Sequence, residues 1–248
     1  MISIDPHLTH RLHQGAQKAD RLYAAVPCRF VTGEERSWSV HHARENGVTA
    51  SFDGGWPDAE RVQVCFHPAD VPAEFTGVWM EIRWNGKFSR CDHRDLLGSL
   101  MALGIDREYF GDLITQSGSA WLFTLPEIAA RLPQEWTKAG NTPIRVEQAS
   151  GPVIITPPKG ETLRDTVPSL RLDAILASGM KTSRARAAEM IKAGLVAVDH
   201  LIQERTDKVL IPGQLLSVRG FGRIRLTEVG DPTRKERLPV TLEIFRKD

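Results

Sequence analysis

The sequence predicts an α+β chain in three parts: an N-terminal α+β region at residues 1–70, a βαββαβ middle domain at 71–149 and a C-terminal αα-β module at 169–248, with a linker at 150–168. Three observations carry that reading. Stretches with apolar residues at every second position alternate with stretches where they recur at steps of three and four, the periods of a half-buried strand and of an amphipathic helix. Four prolines (Pro152, Pro157, Pro158 and Pro168) with Gly151 and Gly160 fall in a poorly patterned stretch between the second part and the third, as in a linker. The charge is also uneven. Between Arg164 and Leu226 there are eleven Lys or Arg against six Asp or Glu, while the remainder holds 21 against 25, for a net +1.

Residues 7–26 read as a helix, since Leu12, Ala16, Ala19 and Tyr23 recur at three- and four-residue steps. Asp53-Gly54-Gly55-Trp56-Pro57 is a turn, and Val62, Val64 and Phe66 alternate with Arg61, Gln63 and Cys65 as a strand does. In the middle part, Val78, Met80 and Ile82 alternate with Trp79, Glu81 and Arg83. Asp92–Leu103 is a helix with Asp92 as its cap, Asp95 three residues on, and Leu96, Leu97, Leu100 and Leu103 as its apolar stripe. Asp112–Gln116 and Ser119–Thr124 are strands around Ser117-Gly118. Pro126 opens a second helix with Ile128, Leu132 and Trp136 four apart, and Ile144–Gln148 is the last strand. This order is the ferredoxin-like arrangement shared by RRM domains. Trp79, Trp121 and Phe123 suit either base stacking on an open sheet face or packing against the neighbouring part.

In the third part, Ser169 is the cap candidate for a short helix at Arg171–Leu176. Lys181–Arg186 opens a second helix with Ala187, Met190 and Ile191 on its apolar side, and Gly194 ends it. Leu195–Val198 is a strand and Asp199-His200 a turn. Further strands run through Val209, Leu215–Arg219 and Arg223–Leu226, with Pro212-Gly213 between. Lys181, Ser183, Arg184 and Arg186 gather at a helix start, where free N–H groups and the dipole favour an anion. Arg171 is near that corner, Lys192 lies further along the helix, and Arg219, Arg223 and Arg225 extend the basic supply onto the last strands. These nine residues are the candidate RNA contacts. Phe221, between two glycines, suits a base stack or a core plug. The partner expected is structured RNA, held by phosphate neutralisation and shape.

An apolar content of 41% supports real cores, and 25% charged residues is ordinary for a globular chain. Cys28, Cys65 and Cys91 make no disulfide framework and suit a reducing compartment. No apolar signal core opens the chain, and Leu96–Ile105 is too short to span a bilayer. A cytoplasmic protein without membrane insertion, cofactor, metal or small-molecule substrate is expected.

Arg171-Leu172-Asp173, Ser183-Arg184, Gly194-Leu195-Val196-Ala197-Val198 and Pro212-Gly213 resemble the S4 RNA-binding domain in order and spacing. Two departures are Asp199, where that domain usually has Asn, and Gly213-Gln214, where it has Gly-Asp. Gly54-Gly55-Trp56-Pro57-Asp58-Ala59-Glu60-Arg61, His93-Arg94-Asp95-Leu96-Leu97-Gly98 with Leu103-Gly104-Ile105, and Arg219-Gly220-Phe221-Gly222-Arg223 resemble the YlmH-type proteins, which join an RRM-like domain to a C-terminal S4 domain. Relatives in photosynthetic lineages carry the label photosystem II S4-domain proteins. The resemblance implies a non-enzymatic protein that binds rRNA and tRNA on the large ribosomal subunit, as in rescue of stalled nascent chains.

Sharper readings compete with this one. His93-Arg94-Asp95-Leu96 spells the start of a kinase catalytic loop, but the metal-binding Asn position is Leu100 and no Gly-rich phosphate loop precedes it. Cys65-Phe66-His67 and Cys91-Asp92-His93 repeat Cys-x-His, a spacing unusual for zinc. Arg171-Leu172-Asp173 is similar to the catalytic Asp motif of pseudouridine synthases, yet only 75 residues follow Asp173. A methyltransferase would need a Gly-rich cofactor loop after a strand, and none is found. An RNA-modifying enzyme and a protein-interaction scaffold are the rival classes.

Overall fold

The computed structural model describes residues 5–85, 91–116, 118–151, 153–155 and 160–246. Ser117 of the expected turn and Pro152, Pro157 and Pro158 of the expected linker lie outside them. The chain forms two compact units, Met1–Ile155 and Thr156–Asp248.

The first unit opens with α1 (Pro6–Leu22), whose cap Asp5 accepts the His7 N–H at 2.8 Å. The helix stops short of residue 26 because Tyr23 turns left-handed (φ +50°), and β1 (Val26–Val31) follows. Next come α2 (Gly33–Glu45), β2 (Thr49–Asp53) and β3 (Val62–His67), in an antiparallel sheet of order β1-β3-β2. Helix α2 was not expected from sequence, since it carries little apolar periodicity. Its start is fixed by a capping box in which Glu35 accepts the Thr32 N–H at 2.6 Å. Leu8, Leu12, Ala16 and Ala19 form the buried stripe of α1 and share a core with Val62, Val64 and Phe66. All of β3 is buried, so its other face is covered too. There the Gln63 amide accepts the Thr76 and Gly77 N–H groups and donates to the Cys28 carbonyl.

The second half of this unit runs β4 (Val78–Arg83), α3 (His93–Ala102), β5 (Phe110–Gln116), β6 (Ser119–Thr124), α4 (Pro126–Ala129), α5 (Leu132–Glu135), the short pair β7 (Lys138–Ala139) and β8 (Thr142–Pro143), and β9 (Arg145–Gln148). The sheet order β5-β6-β4-β9, antiparallel throughout, is that of a split βαβ fold. Asp92 and Asp95 make a reciprocal capping box at the start of α3, as their spacing suggests. The single helix expected from Pro126 is instead two short ones. Pro133 has no N–H to return to the preceding turn, which breaks the ladder. Trp136 is nonetheless fully buried, with its Nε1–H donating to Ser99 Oγ at 2.8 Å.

The N-terminal half covers one end of this second sheet. Trp79 and Phe123 point away from Met80, Ile82 and Leu122 and pack with Phe30 and Leu125. The Phe123 ring meets Phe30 edge-on at 5.7 Å and Trp79 at 5.0 Å. A Cβ on Gly77 would sit 2.3 Å from Phe123 Cζ. Beside this nest the Asp112 carboxylate accepts from Trp56 Nε1–H (3.0 Å), Glu60 N–H (2.9 Å) and Arg61 N–H (3.0 Å). The Arg61 guanidinium donates to the Arg107 and Phe110 carbonyls, and burial together with the Arg107 charge pulls its pKa down to about 10.

The second unit contains β10 (Glu161–Val167), α6 (Leu172–Met180), α7 (Arg184–Lys192), β11 (Val196–Val198), β12 (Leu201–Ile202), β13 (Leu215–Val218), β14 (Gly222–Val229) and β15 (Leu238–Arg246), with sheet order β10-β15-β14-β13-β11-β12. The stretch read as linker therefore contains a strand. Only Leu163 and Val167 of β10 are apolar, too few to signal it, and the strand is held by the β15 ladder from Glu161↔Ile244 to Val167↔Leu238. Both helices share a core with Ile224, Leu226, Val240, Leu242 and Ile244, and Gly179 lets α6 come close enough that a Cβ there would lie 2.7 Å from Ile224 Cδ1. Asp199 and His200 both have positive φ (47° and 68°) in the two-residue turn between Val198 and Leu201, the backbone a tight hairpin demands. Asp199 tolerates it and accepts the Leu215 N–H and the Gln214 amide.

Two substitutions test the joint in the first unit. Asp112→Ala strands three donors and is expected to cost about 3 kcal/mol, lowering the first thermal transition of the full chain by roughly 6–12 °C in calorimetry. Gly77→Ala forces a methyl into a ring held on both sides and is expected to cost about 1–3 kcal/mol in urea unfolding; an unchanged midpoint would show that the nest is loose.

Candidate RNA interface

The corner between α6 and α7 is organised by a carboxylate. Asp173, in the first turn of α6, is 6% exposed. Arg171 donates to it through Nε (3.2 Å to Oδ1) and Nη2 (3.3 Å to Oδ2), and Arg184, from the first position of α7, through Nη2 (2.7 Å to Oδ2). Burial alone would raise the Asp173 pKa; the hydrogen bonds from Arg171 and Arg184 outweigh it and hold the carboxyl below its ordinary range. The two arginine side chains remain 39% and 50% exposed. A guanidinium has five N–H donors, so pairing with Asp173 leaves each able to meet a phosphate oxygen.

Several local expectations change here. Ser169 does not cap α6: the cap position is Arg171, without a side-chain bond. The Leu172 and Asp173 N–H groups donate instead to the Lys208 and Thr206 carbonyls of a loop that crosses the helix end. Lys181 does not start α7 but closes α6 in the left-handed conformation (φ 53°). Ser183 is the cap of α7 and accepts the Arg186 N–H at 3.1 Å. Arg186 pairs with Glu189 at 3.1 Å on the exposed side, and Lys192 lies in the last turn. Ser183, Arg184 and Arg186 thus stand at the start of α7 and Lys181 at the break before it, while Arg171, at the other end of α6, is joined to them through the carboxylate it shares with Arg184.

Arg223 and Arg225 are not part of that corner. They alternate with the core residues Ile224 and Leu226 on β14, so they face away from the helices, over the Phe245 ring. Arg219 sits in the turn after β13, its N–H bonded to the Leu195 carbonyl. Phe221 packs partly against the core, with the Arg246 guanidinium 5.6 Å from its ring.

The other sequence signals have structural uses. Trp79 and Phe123 are taken up by internal packing, while Trp121 stays partly exposed between Glu81 and Ile114. His93-Arg94-Asp95 is the capped start of α3. His67 has both ring nitrogens engaged, with Ser51 Oγ and the Pro68 carbonyl, and among the described residues no three His, Cys, Asp or Glu are grouped as a metal site. Among the described residues no helix is long and apolar enough to cross a membrane. Sequence reasoning named both arginines but missed Asp173 as their common partner. The Arg171-x-Asp173 spacing is a local signal for half of it; the pairing with Arg184, eleven residues away, needs the fold.

Two domain models match the chain. Residues 71–151 match the domain described as "Putative RNA-binding domain in YlmH", and residues 170–210 match the S4 domain. The chain is 34% identical over 200 residues to the ribosome-associated protein quality control protein P2 of Bacillus subtilis, covering 79% of this chain and 78% of that one. A solved structure of the cell division protein ylmH from Streptococcus pneumoniae aligns with a TM-score of 0.49 at 23% identity, covering 60% of this chain and 93% of that one. With both domains in order and a relative of that identity matched along most of its length, the chain belongs to the YlmH family of S4-domain proteins.

Proposed function

We propose that this protein is a non-catalytic, cytoplasmic RNA-binding factor that grips structured RNA at the α6–α7 corner and acts on the large ribosomal subunit with tRNA, in quality control of stalled translation. The observation that carries the proposal is the Asp173 pivot, which presents two half-exposed guanidiniums at fixed spacing beside Lys181, Ser183 and Arg186. Fixed cations lose less entropy on meeting phosphate than free ones do. The name of the Bacillus subtilis relative supports the ribosomal part of the reading. Lys192, Arg219, Arg223 and Arg225 are proposed as further contacts.

Charge reversal at the corner tests this directly. If about five phosphates are met, log affinity falls with log salt at a slope of roughly −4. Arg184→Glu with Arg186→Glu is expected to abolish co-sedimentation with large subunits and to make the slope shallower by about 2; unchanged sedimentation would refute the corner. Asp173→Asn separates binder from enzyme. RNA binding is expected to persist in weakened form, because Arg171 and Arg184 lose their shared anchor, and the unfolding midpoint to fall with loss of a buried charged acceptor. Mass spectrometry of rRNA and tRNA incubated with the unaltered protein is expected to find no modification. A modified base that disappears in Asp173→Asn would establish a synthase instead.

A further inference from the structure

The sheet of the second unit carries another cationic surface, on the side turned away from α6 and α7. On β15, Leu242 and Ile244 belong to the core, which places Thr241, Glu243 and Phe245 on the opposite side. Arg223 pairs in register with Phe245 and Arg225 with Glu243, and the two guanidiniums lie 5.6 and 5.7 Å from the Phe245 ring centre. On the neighbouring strand Arg164 pairs with Thr241 and is exposed. Three arginines thus share this face with two carboxylates: Glu243, turned to the Gly160 N–H at 3.2 Å, and Glu228, paired with Thr241 and accepting its hydroxyl at 3.2 Å.

An aromatic ring flanked by guanidiniums on a flat strand surface has the chemistry of a single-strand platform. Every base has a π-face that stacks on an aromatic or on an arginine plane, and the same cations meet the phosphates along the strand. A protein partner would call for a broader apolar patch, and the nearest neighbours of Phe245 on this face of β14 and β15 are Arg223, Arg225 and Glu243, none of them apolar. We infer that this face is a second RNA site, separate from the helical corner, in which Phe245 stacks a base of a single-stranded segment while Arg223, Arg225 and Arg164 track its backbone. The inference rests on the reading that the protein works on RNA, and it implies that the second unit touches RNA on both of its faces.

Anisotropy titrations of the full chain with a labelled uridine oligonucleotide of about 12 residues, and with a blunt RNA duplex of about 16 base pairs, separate the two sites. Phe245→Leu keeps an apolar side chain without a π-face and is expected to weaken oligonucleotide binding by roughly 5- to 100-fold, leaving duplex binding unchanged. Arg184→Glu with Arg186→Glu is expected to do the reverse. Phe245→Trp is expected to retain oligonucleotide binding, a result that packing alone would not produce, and it guards against misfolding of the Leu variant. If the unaltered chain fails to bind the oligonucleotide, if Arg223→Gln with Arg225→Gln binds it normally, or if Phe245→Trp is as weak as Phe245→Leu, the platform is refuted. The duplex arm then still reports on the corner by itself.

Discussion

A buried carboxylate has to be neutralised where it stands, and in the second unit that requirement shapes the junction of the helix pair: Asp173 draws Arg171 from its own helix start and Arg184 from the next one. Taking a carboxylate out of water costs several kcal/mol unless charged partners surround it. Here the partners come from both sides of the left-handed break at Lys181, so one ion triad ties the start of α6 to the start of α7. The same contacts aim the guanidiniums outward. Stability and presentation of charge are therefore one feature, and neither arginine can be assigned to only one of them.

The first unit solves a different problem. A split βαβ sheet leaves one face open, and its aromatic residues have to be wetted, used on a ligand or covered. Covering wins at one end: Phe30 and the Gly55 and Gly77 backbone close over Phe123 and Trp79, while Asp112 ties the preceding loop down through three N–H groups. The N-terminal half thus acts as a lid for that end of the sheet. Trp121, further along β6, stays outside the nest.

Much of this was legible in the sequence because it is local. The Asp92–Asp95 capping box, the Ser119–Thr124 strand, the apolar side of α7 and the left-handed Gly194 all follow from residue type and spacing. What escaped depends on distant partners. Strand β10 has almost no apolar pattern and exists through β15; α2 is held by its cap and a few buried residues. The candidate site divides in the same way. Clustering of Arg171, Ser183, Arg184 and Arg186 could be read from the chain, whereas the placement of Arg223 and Arg225 on the far side of the sheet depends on which strand face the helices cover.

The pairing of β10 with β15 also has a meaning in time. The contact between Thr166 and Arg237 spans 71 residues, and everything between them has to be made before β10 can be paired. At ~5–20 residues per second of synthesis that interval is roughly 4–14 s, during which β10 waits as an unpaired edge. Its composition suits the wait: Glu161, Arg164 and Asp165 are exposed charges along a strand with two apolar side chains, which discourages pairing with other chains. The polarity that hid this strand from a reading of the sequence is what keeps it soluble until its partner arrives.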